Sequence, residues 1–348
     1  METNIIYAMS SFLTYRTIVK ENISFSNKYP PRYFKPYKMN ERISVTNSKQ
    51  TLALIKEYLE TLFSNDNNNV ALMLSGGIDS AILAALVPEG TQAYTFKTET
   101  SVSVDDVIYA KKYAQKFNLK HTIIDVDWDD YNQSIDDLMT QKGSPIHSIE
   151  PQIFKAAKIA KKDGFTHLLF GENADIVFGG FNGLLSKDWN VDEFFDRYCF
   201  VDPRKVLKDY EYLIDPIKKY ASNDIVDVHA FINDVFYKES NSSYENACSL
   251  AEINFCTPFS QMKVENLDLA KIRDGQNKYI LREIFASLYP EFENRKKVPM
   301  PRAVDKWFGN WEGPKHEAFK RNIKMENLSG DQKWMIYVLE RYLLLIGE

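Results

Sequence analysis

The chain is poor in cysteine, glycine and positive charge. Its 348 residues include three cysteines and 14 glycines, and its net charge is −5. Cys199, Cys248 and Cys256 form no C-x-x-C pair and no Cys/His spacing typical of zinc, so we predict reduced thiols and a cytoplasmic location. Without a basic field the chain is not expected to bind nucleic acid nonspecifically.

Long hydrophobic runs are also missing. No segment approaches the roughly 20 apolar residues that a membrane span requires. The N-terminal stretch lacks the charged region and uninterrupted apolar run of a secretory signal. We therefore predict no association with membranes.

Short apolar strands alternate with helical patterns from about residue 65 to 185. This alternation is typical of an α/β fold, a parallel sheet with helices on both faces. A helix at 49–63 precedes the first strand. The predicted strands are 70–74, 92–97, 121–126 and 167–170, and the predicted helices are 81–87, 105–117, 150–162 and, near the C-terminus, 332–346.

The chain divides into a short N-terminal segment and one large domain. Residues 1–45 contain β-like pieces at 5–8 and 11–18 and a proline-punctuated stretch, which predicts a linker or hairpin. Residues 46–348 form the domain, with a nucleotide-binding core at about 65–185. From about 186 to 348 the pattern is helical and aromatic, which predicts an α-helical subregion packed on the sheet.

Two adjacent glycines interrupt an apolar run in ALMLSGGIDSAILAAL, residues 71–86. A strand that turns at once into a helix directs free backbone N–H groups to the carboxyl edge of the sheet, where an anion can bind. Gly76 and Gly77 allow close approach of phosphate, and Ser75 and Ser80 add hydroxyl donors. Asp79 would repel phosphate unless a divalent cation lay between them, so the stretch predicts a magnesium-nucleotide site. The alternative is an ordinary strand-to-helix turn.

An acidic stretch, GENADIVFGGF, follows the strand at 167–170. Ligands of open α/β sheets bind at this edge, so Glu172 and Asp175 should face the same crevice as Asp79. Such carboxylates can hold magnesium. The alternative is a solvated acidic turn.

Four motifs in order resemble the synthetase domain of the asparagine synthetase and β-lactam synthetase family, within the PP-loop ATP pyrophosphatase superfamily. They are LSGGIDSAILAAL, YTFKTETSVSVDDVIYAKKYAQKFNLKHTIIDVD, GENADIVFGGF and NKYILREIFASLYPEFENRKKVPMPRAVDKWF, and together they run over most of the chain. The resemblance implies a PP-loop fold that cleaves ATP between its α and β phosphates. A substrate carboxylate would become an acyl-adenylate, and ammonia or an amine would then displace AMP.

The resemblance also implies roles for individual residues. ATP and Mg²⁺ would be held by Ser75, Gly76, Gly77, Asp79 and Ser80, with Asp175 and Glu172 completing the metal site. The nucleotide would be flanked by Leu72, Thr95, Lys97 and Gly171. The basic residues implied on the phosphates, where they would stabilise the leaving pyrophosphate, are Lys278 and Lys297, with Arg282 and Arg295 as further candidates.

The sequence departs from the family's pattern on the substrate side. The position of the family's catalytic glutamate falls near residues 141–143, which contain no carboxylate, so Glu150 and His147 are the candidate bases. The family's R-x-P-F-L-D segment reads CTPFSQ at 256–261. We therefore predict that the substrate is a small-molecule carboxylate other than aspartate, such as another amino acid, a natural-product intermediate or a sugar uronate.

The family's glutaminase domain begins with a catalytic cysteine after the initiator methionine, whereas Glu2 follows Met1 here, and we expect that this domain is missing. The nitrogen would come from free ammonia, from a separate glutaminase subunit or from an amine in the substrate. We expect a homo-oligomer. Two other classes stay open: a PP-loop RNA-modifying enzyme, which the acidic balance disfavours, and a non-catalytic nucleotide-binding partner subunit.

Overall fold

The computed structural model describes residues 2–32, 34, 37–292 and 300–348. In this part of the chain a parallel sheet of five strands forms the centre, and three two-stranded sheets lie around it. The strands are β1 (Glu2–Thr3), β2 (Ile23–Ser24), β3 (Ile43–Val45), β4 (Val70–Met73), β5 (Gln92–Lys97), β6 (Lys120–Asp125), β7 (His167–Leu169), β8 (Ala221–Ser222), β9 (Ile225–Val226), β10 (Asn254–Cys256) and β11 (Met262–Val264).

The central sheet has the strand order β10-β7-β4-β5-β6, and all neighbours run parallel. Leu72 of β4 lies opposite Leu169 of β7 on one side and Ala93 of β5 on the other. From β4 the chain builds outward through β5 and β6, and it then returns to place β7 on the opposite side of β4. The strand order therefore reverses between β4 and β7, and the crevice outside the carboxyl ends at such a point is where open α/β sheets bind ligands.

Helices of very different length surround the sheet. They are α1 (Ile5–Tyr15), α2 (Ser48–Ser64), α3 (Ile78–Ala84), α4 (Ser101–Lys116), α5 (Trp128–Lys142), α6 (Glu150–Lys162), α7 (Ala174–Val177), α8 (Val191–Tyr198), α9 (Pro203–Val206), α10 (Asp215–Lys218), α11 (Val228–Phe231), α12 (Tyr237–Leu250), α13 (Leu269–Arg273), α14 (Tyr279–Leu288), α15 (Val304–Trp307) and α16 (Gly330–Ile346). A π-helical turn at Ile232–Phe236 leads directly into α12. None of the helices in the described ranges is long and apolar enough to cross a membrane.

The sheet buries both faces. Ala71 and Met73 of β4 belong to a core with α1, α5, α6, α12 and α16, whereas Val70 and Leu72 belong to a second core with α2, α3, α4 and α14. Successive side chains of a strand point to opposite faces, so the uninterrupted apolar run of β4 is what a strand covered on both sides requires. The predicted α/β class, a parallel sheet with helices on both faces, is confirmed.

Most predicted elements agree with the structure to within a few residues, but the N-terminal segment does not. The β-like pieces predicted at 5–8 and 11–18 are wrong, because residues Ile5–Tyr15 form α1, whose first turn is capped by the Asn4 side chain. Met9, Phe12 and Leu13 are buried, and their spacing is that of one helical face. The core they enter is the one on the α5/α6 side of the sheet.

The segment predicted as helical, 186–348, is also not purely helical. Its residues Asn254–Cys256 form β10, the edge strand that pairs with β7. Residues Met262–Val264 form β11, which pairs with β3. The division of the chain at about residue 45, and of the domain at about 185, stays a prediction.

Trp334 of α16 is the largest of the fully buried side chains, and its indole N–H donates to the Ile146 carbonyl at 3.1 Å. We expect Trp334→Ala to lower the free energy of unfolding by about 3–5 kcal/mol, because it leaves a cavity and an unpaired carbonyl. Leu344→Ala on the same helix, at a side chain that is 64% exposed, should change it by less than about 0.5 kcal/mol. Urea denaturation followed by circular dichroism measures both, and equal losses would contradict the assignment of this core.

Candidate functional site

The Ser-Gly-Gly bend follows β4 and is held by its own side chains. The Ser75 N–H donates to Ser80 Oγ at 3.0 Å, the two hydroxyls lie 2.9 Å apart, and the Gly77 N–H donates to Ser75 Oγ at 3.2 Å. Gly77 precedes the first residue of α3 and has no side-chain cap. Ser75 and Ser80 thus shape the bend as well as offering hydroxyl groups to a ligand.

Asp106 of α4 also holds the bend, a role that no sequence pattern predicts. Its Oδ1 accepts the Gly76 N–H at 2.8 Å, and the Tyr113 hydroxyl donates to the Gly76 carbonyl at 3.4 Å. Asp106 is 8% exposed. The two contacts join residues that are 30 and 37 positions apart in sequence, so no local spacing of residues could predict them.

The acidic turn after β7 packs directly against the start of α3. A Cβ atom at Gly171 would lie 2.9 Å from the Ser80 nitrogen and 3.1 Å from Asp79 Cβ, so only glycine permits this approach. Asn173 adopts a left-handed backbone conformation at φ 68°. Its side-chain nitrogen donates hydrogen bonds to Asn241 Oδ1 and Ser260 Oγ, and these hold that conformation. The turn therefore presents Asp175, in the first turn of α7, to the same cleft as Asp79.

Lys278 joins the two aspartates. Its ammonium lies 2.7 Å from Asp79 Oδ2, 3.0 Å from Asp79 Oδ1 and 2.9 Å from Asp175 Oδ1. The residue precedes α14 in a left-handed conformation, with φ 53°, and its side chain is 4% exposed. Burial alone would lower the pKa of this ammonium, but Asp175 and Asp79 outweigh burial and hold the pKa above its usual value. Lys278 is therefore charged at neutral pH.

The two aspartates fit a magnesium ion. Their carboxylates converge on one cation position, and carboxylate oxygens are the donors that Mg²⁺ takes. No group of three or more histidine, cysteine, aspartate or glutamate side chains suited to a metal occurs within the described ranges. A magnesium ion at this place would need its other ligands from phosphate oxygens or water.

These residues line one cleft that is open to solvent, and about 1120 Å³ of empty space lies within and at the mouth of it, open solvent included. Its floor is the end of β4 at Met73 and Leu74, and Phe96 and Phe170 supply apolar walls. The predicted site residues that line it are Ser75, Gly76, Gly77, Asp79, Ser80, Gly171, Glu172, Asp175 and Lys278, and Arg282 joins them.

Three residues predicted to flank the nucleotide are not among those that line this cleft. Leu72 is fully buried within β4. The Thr95 hydroxyl donates to the Leu74 carbonyl at 2.6 Å and hydrogen-bonds His121 Nε2 at 2.7 Å, so it supports the floor from β5. Lys97 is half-exposed and pairs with Asp125 at 3.0 Å.

The two predicted bases lie in another cluster. Glu150 is fully buried, and its carboxylate accepts from the Lys142 ammonium at 2.5 Å, the His147 N–H at 2.8 Å and Asn246 Nδ2 at 2.8 Å. Burial, reinforced by the charge of Arg302, lowers the pKa of His147 well below its usual value. Neither side chain is among those that line the cleft. Lys297, predicted on the phosphates, and Arg295 lie outside the described residues.

The hydrogen-bonding partners of Glu172 differ from those of Asp175. Its Oε1 accepts from the Ser240 hydroxyl at 2.7 Å, and the Tyr244 hydroxyl is a further hydrogen-bonding partner. Burial raises the pKa of the Glu172 carboxyl above its usual value, and the hydrogen bonds from Ser240 and Tyr244 oppose that shift without cancelling it. Glu172 and Tyr244 both line the cleft, so a carboxylate with a raised pKa lies beside the predicted phosphate site.

Helix α12 contacts the acidic turn and three other segments through buried polar side chains. The sequence YKESNSSYENACSL shows no clear apolar stripe, and many of its polar side chains are nevertheless buried. Burial raises the pKa of Glu239 on this helix to about 7. The contacts, in order along the helix, are Glu239 with Arg16, Ser240 with Glu172, Asn241 with Asn173, Ser243 with Lys142 and Asn246 with Glu150.

The family model for asparagine synthase matches residues 63–244, more than half of the 348 residues. The chain belongs to the asparagine synthase family. The matched segment contains the bend after β4, the acidic turn after β7 and Tyr244 of α12. Membership in the asparagine synthase family supports an ATP-dependent enzyme of the ligase type.

Individual relatives are distant. A putative glutamine-hydrolyzing asparagine synthetase of Methanocaldococcus jannaschii is 27% identical over 136 residues, which are 36% of this chain and 25% of the relative. This chain therefore spans about a quarter of that relative's length.

Three solved structures show slight likeness. An ammonia-dependent NAD synthetase of Campylobacter jejuni is 21% identical with a TM-score of 0.27, over 38% of this chain and 61% of its own. A U34-tRNA thiolase of Methanococcus maripaludis is 14% identical with a TM-score of 0.34, over 86% and 80%. An NMN synthetase of Francisella tularensis is 14% identical with a TM-score of 0.31, over 74% and 100%. Scores of this size carry no argument about activity.

Gly171→Ala tests the contact between the acidic turn and α3. The added methyl group would press on the Ser80 nitrogen and Asp79 and displace the bend. We expect about tenfold weaker binding of magnesium-ATP, equivalent to about 1.4 kcal/mol. Gly309→Ala is the matched control, because its Cβ would meet its nearest neighbour at an ordinary 3.4 Å. Calorimetric titration of both variants measures the effect, and equal affinities would contradict the proposed approach.

Proposed function

We propose that this protein is an ATP-dependent ligase that activates a carboxylate as an acyl-adenylate, releases pyrophosphate and transfers the acyl group to ammonia or an amine. The observation that carries the proposal is the convergence of Asp79, Asp175 and Lys278 at the carboxyl edge of the sheet, beside the Ser75–Ser80 bend. Family membership supports the use of ATP, and the geometry supports a place for its phosphates.

In the first step the substrate carboxylate attacks the α-phosphorus, and the bond to pyrophosphate breaks. Backbone N–H groups and hydroxyls of the bend would bind the phosphates, and the ammonium of Lys278 would counter the negative charge that grows on the leaving oxygen. Magnesium, when bound by Asp79 and Asp175, would neutralise phosphate charge.

In the second step the nitrogen attacks the acyl carbon and loses a proton while AMP departs. The residue best placed to accept that proton is Glu172, because it lines the cleft next to Asp175 and its pKa is raised toward neutrality by burial. Glu150 is committed to Lys142 at 2.5 Å. Glu172, rather than the predicted Glu150 or His147, is therefore the proposed base.

The substrate side favours an acid other than aspartate. The segment at 256–261 lies against the acidic turn, since the Thr257 hydroxyl donates to the Glu172 carbonyl at 2.8 Å and Ser260 Oγ accepts from Asn173 at 2.8 Å. The family's arginine and aspartate positions are occupied here by the neutral residues Cys256 and Gln261, in a segment that contacts the acidic turn. The identity of the acid, the nitrogen source, a separate glutaminase and a homo-oligomeric state stay predictions.

The cysteines do not support thiolation chemistry. Burial raises the pKa of Cys199 to about 12 and of Cys256 to about 11, and it raises that of Cys248 well above its usual value. A thiolate is the reactive form of cysteine, and it is disfavoured at all three positions. This favours the amide ligase over an RNA-thiolating enzyme.

A panel of carboxylates and amines, scored by pyrophosphate release and product mass, tests the proposal. We expect AMP and pyrophosphate only with a matched acid. Asp79→Asn should abolish turnover, because it removes one of two carboxylates at the cation position, whereas Asp125→Asn, at an exposed ion pair outside the cleft, should not. Release of ADP, or full activity of Asp79→Asn, would refute the assignment.

Glu172→Gln separates the two steps. We expect exchange of pyrophosphate into ATP to persist while amide formation falls about 100-fold, the usual effect of losing a general base. Glu245→Gln, on α12 but outside the cleft lining, is the control. A general base must be ionised, and the pKa of Glu172 is raised by burial. As the pH falls, amide formation by the wild type should therefore begin to decline at a higher pH than it would with a base of ordinary carboxylate pKa. A parallel loss of exchange and product would assign Glu172 to nucleotide binding instead.

A further inference from the structure

The ammonium of Lys278 occupies the position that a metal ion would take between Asp79 and Asp175. The three nitrogen-to-oxygen distances are 2.7, 3.0 and 2.9 Å. Oxygen ligands of magnesium lie at about 2.0–2.1 Å from the ion. An ion that bound both aspartates would therefore stand almost in contact with the ammonium, and two like charges at that separation exclude each other.

We infer that Lys278 is a resident counter-ion that keeps free divalent metal out of the site until a nucleotide brings both the metal and a new partner for the lysine. The inference rests on the proposed function in one respect only, which is that the ligand carrying the metal is a nucleotide. Its core, an exchange of ammonium for metal at two aspartates, concerns residues that the structure describes.

The charges in the cleft give the reason for a resident cation. The side chains of Asp79 and Asp175 are 18% and 26% exposed, and Asp106 lines the same cleft. Lys278 lies between the two aspartates and offsets the repulsion between their charges, which acts against the contact between the acidic turn and α3. The two carboxylates and the ammonium together carry one net negative charge.

The small number of protein ligands makes the exchange depend on the nucleotide. Two aspartates leave most of the coordination sphere of magnesium to phosphate or water, so a metal that arrives alone gains little and must expel a buried lysine. A metal that arrives on a triphosphate brings phosphate oxygens. These complete its coordination and also accept the displaced ammonium, because Lys278 and the Ser75–Ser80 bend line one cleft.

Titration with Mn²⁺ in the absence of nucleotide, followed by electron paramagnetic resonance, tests the inference without relying on turnover. We expect wild type to bind free Mn²⁺ poorly and Lys278→Met to bind it at least about tenfold more tightly. The double variant Asp79→Asn/Lys278→Met should lose this gain. Lys155→Met is the matched control, since Lys155 pairs with a single aspartate, Asp130, at 2.5 Å and should confer no metal binding when removed.

Equal Mn²⁺ affinity of wild type and Lys278→Met would overturn the inference. If Lys278→Met does not fold, wild type decides alone. Its affinity for Mn²⁺ should rise at least about tenfold with α,β-methylene ATP, and a crystal structure of that complex should show the Lys278 ammonium on a phosphate oxygen. Tight Mn²⁺ binding without nucleotide, or an ammonium still on both aspartates beside the metal, would contradict it. If Lys278→Met binds Mn²⁺ more tightly as expected but the protein forms no AMP with any substrate, only the proposed function is overturned.

Discussion

The ion pairs of Lys278 connect the three segments on which the site depends. Lys278 and Asp79 are 199 residues apart in sequence, and Asp175 comes from a third element. Each carboxylate alone would be costly at its degree of burial, and the lysine alone would lose its charge. Together they hold the start of α14, the bend after β4 and the turn after β7 at one edge of the sheet. The ion pairs of Lys278 with Asp79 and Asp175 therefore maintain the shape of the cleft.

Much of the fold could be predicted from the sequence, for reasons tied to burial. Strands covered on both faces must be apolar along their whole length, so β4, with the sequence VALM, stands out between polar turns. The failures come from short patterns. In α1 a run such as Ile5-Ile6-Tyr7-Ala8 suits a strand and a helix equally, and only packing on the α5/α6 side of the sheet decides. In β10 three residues, Asn-Phe-Cys, are too few to show a period.

The candidate site divides in the same way. Residues of local motifs, such as Ser75, Asp79 and Asp175, line the cleft, and their roles in nucleotide and metal binding stay predictions. Glu150 is close in sequence to the family's glutamate position, but the connection from α5 to α6 places its carboxylate against Lys142. Asp106 and Tyr244 reach the cleft from helices whose placement depends on long-range packing. Sequence spacing carries no information about such contacts.

The buried polar face of α12 restricts how this protein can diverge. Three of its buried polar side chains bond to a partner in a different segment: Asn241 to Asn173, Ser243 to Lys142 and Asn246 to Glu150. A change on one side strands a polar atom in the interior, whereas a simultaneous change on both sides can leave the interior satisfied. Natural variants should therefore alter this helix through linked, two-position replacements more readily than through single ones.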